Sequence, residues 1–238
     1  MSLGVQAAIE VMGMKERQLE ALSHNIANAN TTGFKEEQLR FEAKLEEALK
    51  KDPTYVPQTE KVIDFSQGAL VPTNNPYDVA LQGSGFLEVQ NEQGTFYTRN
   101  GALTTDAAGN LKTAAGAQVI GQSGPIQITK DGKVDISKIG EITINGESIA
   151  KLKVVDFDDK SKLSSVGASL YQAPNGTQPK VLQNPFVVQG SQESSNVNTI
   201  KNLSQLIEVN RQYEAYQRVV RMQDKMNQDA PATLGRLS

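Results

Sequence analysis

Apolar side chains recur every seven residues at both ends of this chain. Val5, Met12, Leu19 and Ile26 form one row, with Ala8, Leu22 and Ala29 in the companion row and Lys15 as its one break. From about residue 197 to 226 the alternation of three and four returns through Leu206, Val209, Tyr213, Tyr216 and Val220. Such spacing belongs to helices that bury a narrow seam against another helix. The first helix is expected to begin near Ser2, a good N-cap, and to stop by Gly33, because Asn28, Asn30, Thr31 and Thr32 favour turns. Asn198 suits the N-cap of the last helix, and Pro231 lies beyond its expected end. A short helix is expected over residues 36–51. There Phe41, Leu45, Ala48 and Leu49 share a helical face, Glu46/Lys50 and Glu47/Lys51 pair at i,i+4, and Pro53 ends the run.

Between the ends the period shortens. Short apolar runs at residues 79–81, 86–89, 95–98, 118–120, 126–128, 134–136, 142–144 and 152–157 are bounded by Gly, Asn or Pro. Regular short strands with turn signals predict an antiparallel β-domain. The pairs Asn100-Gly101 and Asn145-Gly146 suit tight turns with positive φ, and Gly109 and Gly132 mark two more. Residues 173–192, rich in Pro, Gly, Gln and Asn, read as a connection back to the last helix. The expected class is α+β, with N- and C-terminal helices paired as a coiled-coil-like bundle around an inserted antiparallel β-domain. Residues 1–35 and 196–238 form the helical part, 36–70 a linker and 71–195 the β-rich part.

Composition narrows the function. The 238 residues are 38% apolar and 5% aromatic, a thin supply for one core spanning the whole chain, so neighbouring subunits are expected to complete the burial. A net charge of −3 gives no basic excess for nucleic acid or anionic lipid. The absence of cysteine removes disulfides, zinc–thiolate sites and thiol catalysis. The first residues lack the form of a cleavable signal, since Glu10, Lys15, Glu16 and Arg17 interrupt any apolar core. No run reaches the ~18 apolar residues of a membrane span.

Catalytic chemistry finds little support. His24 is the only histidine, so no histidine pair or triad can be assembled, and it reads as a packed or solvated helix residue. Asp156, Asp158 and Asp159 lack the further oxygens of a calcium loop and read as a solvated strand end. Gly83-Ser84-Gly85 lacks the third glycine of a dinucleotide site. Arg211, Arg218, Arg221 and Lys225 give the last helix a basic face, which Glu214 at i,i+4 from Arg218 turns towards salt bridging. No catalytic set, metal site or cofactor is expected.

Three motif groups carry a family resemblance. The first is Ser23-His24-Asn25-Ile26-Ala27-Asn28-Ala29-Asn30-Thr31-Thr32-Gly33-Phe34-Lys35. The second is Asn75-Pro76-Tyr77-Asp78-Val79-Ala80-Leu81 with Gly83-Ser84-Gly85-Phe86, Tyr97-Thr98-Arg99-Asn100-Gly101, Asp106, Gly109, Leu111 and Gly116. The third is Ser195-Asn196-Val197-Asn198 with Leu206-Ile207-Glu208 and Arg211-Gln212-Tyr213-Glu214. In this order they resemble the rod, hook and hook-associated axial proteins of the bacterial flagellum. Gly124-Pro125-Ile126 and Lys151-Leu152-Lys153-Val154-Val155-Asp156-Phe157 resemble the proximal-rod branch, with the distal rod similar throughout. The charged, helix-prone stretch after Phe34 departs from the pattern.

The resemblance implies a non-enzymatic subunit of the periplasmic driveshaft, located in the basal-body rod. It implies export through the flagellar export apparatus without signal cleavage. It further implies polymerisation with copies of itself and with other rod and hook axial proteins, helices innermost and β-domain outside. The expected assembly interface is Val5, Met12, Leu19, Leu22, Ile26, Asn28, Leu206, Ile207, Val209, Tyr213, Tyr216 and Val220. Ile9 on the first helix and Ile200, Ile207, Val219, Met222 and Met226 on the last form a second apolar stripe. Periodicity leaves two readings of that stripe open, contact with neighbours or a closed bundle in a ligand-binding monomer.

Overall fold

The computed structural model of the chain describes residues 3–45, 55–128 and 132–234. It is an α+β protein with two helices and many antiparallel strands, divided into two units. One unit takes residues 1–27, 37–62 and 198–238; the other takes 28–36 and 63–197.

The first unit holds α1 (Leu3–Ala27), α2 (Thr199–Leu234) and a two-stranded sheet of β1 (Glu37–Leu45) and β2 (Tyr55–Ile63). Helix α1 lies against α2 and against β1, and Ala8, Ala21 and Leu22 are buried on it. Helix α2 is capped as its sequence suggests. The Asn198 side-chain oxygen accepts from the Lys201 amide at 3.0 Å, which satisfies one of the donors a helix start leaves open. The helix continues past Pro231 to Leu234, where an earlier end was expected. Proline costs one backbone hydrogen bond inside a helix, and no second breaker adjoins it here.

Residues 37–45 correct a second expectation. They form a strand, not a helix; Glu36 precedes it outside any helix, and residues 46–51 of the expected helix lie outside the described residues. Leu39, Phe41, Ala43 and Leu45 alternate with Gln38, Arg40, Glu42 and Lys44, so a period of two was present beside the helical one. Pairing with β2 decided between them.

The second unit is built on a long antiparallel sheet. Its path runs through Ser164–Gly167, Leu170–Gln172, β6 (Gly94–Thr98), β5 (Phe86–Asn91), Gln118–Gly121, Leu111–Thr113 and Leu103–Thr105. A three-stranded sheet joins Val134–Ile136, Glu141–Ile144 and Glu147–Lys151, and its Asn145-Gly146 turn has φ of 51° and 86°, as expected. β3 (Leu70–Pro72) pairs with Ser191–Glu193, and β4 (Val79–Gln82) with Phe186–Gln189. These last pairings show that residues 173–192 are more than a connection. Their turn-rich composition hid strands that need only two or three apolar residues, such as Val187.

Side-chain alternation along β5 separates two cores. Leu87 and Val89 join a large aliphatic cluster with Val79, Leu111, Ile126, Ile142 and Leu152. Phe86 turns to a smaller one with Ile63, Tyr97, Val155, Phe157 and Tyr171. The rings of this second cluster meet edge-on, Tyr97 and Phe157 at 4.8 Å between centroids and Phe65 and Tyr171 at 5.1 Å. That geometry sets a positive ring edge on a negative ring face.

Two local expectations change. The 126–128 run is no regular strand. Ile126 donates to Val119 on one side and accepts from Leu111 on the other, so its hydrogen bonds are split between neighbours. Neither Asn100 nor Gly101 has positive φ. Gly101 is needed because a Cβ there would run into the Val79 carbonyl, while the Asn100 side chain accepts from the Ala102 amide at 3.0 Å.

Candidate assembly surfaces and the buried polar locks

The seam residues of the helices fall into three groups. Leu22 and Val209 are buried; Met12, Leu19, Ile26, Leu206, Tyr213, Tyr216 and Val220 are half-buried. Asn28 is half-buried in the turn after α1, where Thr31 donates to its side chain at 3.2 Å. Ile207 is exposed, and the side chain of Val5 lies outside the described residues. Met12, Val220, Gln217 and Arg221 line one groove, which brings the first half of α1 to the second half of α2. The opposite ends meet at Asn25 and Asn202, so the helices run antiparallel.

That second meeting point is polar and fully buried. The Asn25 amide accepts from the Glu37 backbone N–H and donates to the Glu37 carbonyl, both at 2.8 Å, as a paired strand residue would. Its Nδ2 also lies 3.3 Å from Asn202 Oδ1, and Asn202 Nδ2 donates to the Asn198 carbonyl at 3.0 Å. Both asparagines are 1% exposed. His24 Nδ1 sits 3.2 Å from the Glu37 carboxylate. The sequence reading missed Asn202, although it stands seven residues before Val209 in the same row. A polar residue in an apolar row was its signal.

The second unit has a buried ionic lock. Lys35 Nζ meets Glu193 Oε1 at 2.5 Å with both side chains fully buried, and Arg99 reaches Glu193 Oε2 at 3.3 Å. Lys35 also donates to the Ser66 carbonyl, Arg99 to the Gly83 carbonyl, and the Gly68 amide donates to Glu193. The Arg99 guanidinium lies over the Phe86 ring, 5.4 Å from its centroid. Among the described residues, Arg99 Nε is the buried side-chain nitrogen left without a hydrogen bond. Burial pulls the Lys35 ammonium below its ordinary value, against the opposing pull of Glu193, and burial lowers Arg99 in the same way.

Around this lock the segment after α1 is stitched to the segment before α2. Gly33 N–H donates to the Glu193 carbonyl at 2.7 Å, and Glu36 N–H to the Asn196 side chain at 2.8 Å. Asn196 in turn donates to the Asp64 carbonyl. Gly33, at φ 68°, comes so close to the Asn100 backbone that no Cβ fits. A neighbouring network centres on buried Asp78, which accepts from Thr73, Asn75 and Gln192 at 2.6–3.0 Å. Lys35, Arg99 and Asn196, one residue from each motif group, thus meet in one polar interior.

Among the described residues no group of three or more histidine, aspartate or glutamate side chains is placed to hold a metal ion. No described helix is long and apolar enough to cross a membrane.

Comparison with known proteins gives the same order of segments. Three family models match in turn: flagella basal body rod protein over residues 12–35, the flagellar hook protein FlgE/F/G D1 domain over 80–144, and flagellar basal body rod FlgEFG protein C-terminal over 188–231. These stretches contain Lys35, Arg99 and Glu193 respectively. The chain is 34% identical over 229 residues to the flagellar basal-body rod protein FlgF of Caulobacter vibrioides, covering 93% of this chain and 94% of that one. It is 31% identical over 241 residues to FlgF of Rhizobium meliloti, covering 99% of each. It is 31% identical over 239 residues to FlgG of Buchnera aphidicola subsp. Schizaphis graminum, covering 88% and 91%.

Proposed function

This chain belongs to the flagellar basal-body rod protein family, and from that membership we propose that it is a proximal-rod subunit, structural and not catalytic. It polymerises with copies of itself and with other rod and hook axial proteins into the driveshaft, after passing the export apparatus without losing a signal peptide. Its place is the basal body, in the periplasmic stretch of the rod. Helices α1 and α2 pair there in coiled-coil fashion, and Met12, Leu19, Leu22, Ile26, Leu206, Val209, Tyr213, Tyr216 and Val220 supply the seam.

One observation carries the assembly reading. Ile9, Ile200, Ile207, Val219, Met222 and Met226 are 48–80% exposed on helices that already lie against each other. A closed monomeric bundle would bury such a stripe. A distal position is the second reading, supported by relatives named FlgG at identities near those named FlgF.

Leu206→Asp and Leu19→Asp each put a charge into the seam. The expected result is loss of rod incorporation and of swimming, with residues 63–197 retaining their thermal transition. Normal rods and normal swimming would overturn the reading. Labelling this subunit in purified basal bodies and imaging them separates proximal from distal, and mass spectrometry of the same material reads whether the N-terminus is intact.

A further inference from the structure

Each helix carries an exposed row besides its seam. On α1 the row is Ile9, Gly13, Glu16 and Glu20, at intervals of four, three and four. Ile9 and both glutamates are exposed, and Gly13 has nothing within 4 Å of where a Cβ would stand. On α2 the row is Ile207, Arg211, Arg218 and Met222, at intervals of four, seven and four, and all are exposed. Residues so spaced share one helix face. One face therefore sets two carboxylates beside an apolar residue; the other sets two guanidinium groups between apolar residues.

At about 1.5 Å of rise per residue, the glutamates stand about 6 Å apart and the arginines about 10 Å, a difference that flexible arginine side chains span. Apart from half-buried Gly13, both rows stay exposed although α1 and α2 lie against each other, so their charged residues do not meet within one chain.

We propose that the acidic row of α1 docks on the basic row of α2 in a second copy of this chain. The inference rests on the assembly reading above and adds which faces meet and in what sense. Each copy carries both halves of the contact on different surfaces, so the contact is head-to-tail. Such a contact propagates into an open polymer unless rotation closes it into a ring. Burial of Ile9 against Ile207 or Met222 supplies attraction, and the charge pairs select the partner.

The test uses two full-length variants. One reverses the acidic row (Glu16→Lys with Glu20→Lys); the other reverses the basic row (Arg211→Glu with Arg218→Glu). The substituted side chains are exposed, so thermal melts should match the parent, and a variant that fails this check is replaced by its neutral counterpart (Gln for Glu or for Arg). Sedimentation velocity at low ionic strength reads self-association. The parent should associate, and each variant alone should associate at least about tenfold more weakly. An equimolar mixture should return to within about threefold of the parent, because each variant then offers the face the other needs.

A parent that stays monomeric at ~100 μM, variants that associate like the parent, or a mixture that regains nothing would each overturn the inference. The last outcome would assign the rows to a different axial protein. Swimming by cells carrying the Leu206→Asp chain decides the rod reading separately.

Discussion

The β-rich unit buries most of its described apolar strand residues within itself, whereas the described helices leave many of theirs exposed. In the former, strands such as β5 send alternate side chains into two cores, and even its buried charges find partners. In the latter, α2 runs 36 residues, yet among its described side chains only Asn202 and Val209 are buried. Ile200, Leu203, Ile207, Val219, Met222 and Met226 remain 48–80% exposed on it. The difference shows that apolar content alone does not tell where a chain is complete. What matters is how the apolar positions are distributed over the surfaces that meet.

The largest break in this comparison should come from Glu193→Ala. It leaves two buried cations without their carboxylate, a loss that typically costs about 3–5 kcal/mol. In a domain of this size that lowers the melting temperature by on the order of 10 °C, read by calorimetry. An unchanged melting temperature would mean that Glu193 is dispensable to the self-contained unit.

Asn25→Leu comes next. It strips the Glu37 backbone of both its bonds to this side chain and should cost about 1–3 kcal/mol. Hydrogen exchange should show faster exchange of the Glu37 amide, with the strands of residues 86–121 unaffected. Met222→Ser should be smaller still, within about 0.5 kcal/mol by thermal melt, because the side chain is already exposed. Its effect should appear in rod assembly instead, and a large loss of stability would show that the stripe is buried after all.

The finest test is pH. Asp106 is held well below the usual carboxylate value by Lys112 and Asn110. Between the ordinary and the lowered value the unfolded chain binds the extra proton. This carboxylate therefore contributes stability that is lost as pH falls through the lowered value. Asp106→Asn should lower stability near neutrality and flatten its acid limb, because the contribution it removes is already lost at low pH.

Much of the architecture was legible because helices and strands write their period directly into the chain. The two terminal helices, the Asn198 cap and the Asn145-Gly146 turn needed only local information. Residues 37–45 failed because two periods overlapped there, and only pairing with β2 chose one. Strands such as Ser191–Glu193 failed because two or three residues carry no period at all. Glu193 itself was invisible. A carboxylate in a polar stretch reads as solvated until Lys35 and Arg99, distant in sequence, are brought beside it. The exposed stripe was foreseen as a set of residues, but single-chain periodicity could not say whether it was covered.

The Lys35–Glu193 bond spans 158 positions along the chain. In any process that delivers the polypeptide from its first residue onward, this clasp stays open until nearly everything but the closing helix has emerged. Late closure of so long a loop makes the β-rich unit slow to finish. Until that closure, the segments flanking Lys35 lack the carboxylate that holds them.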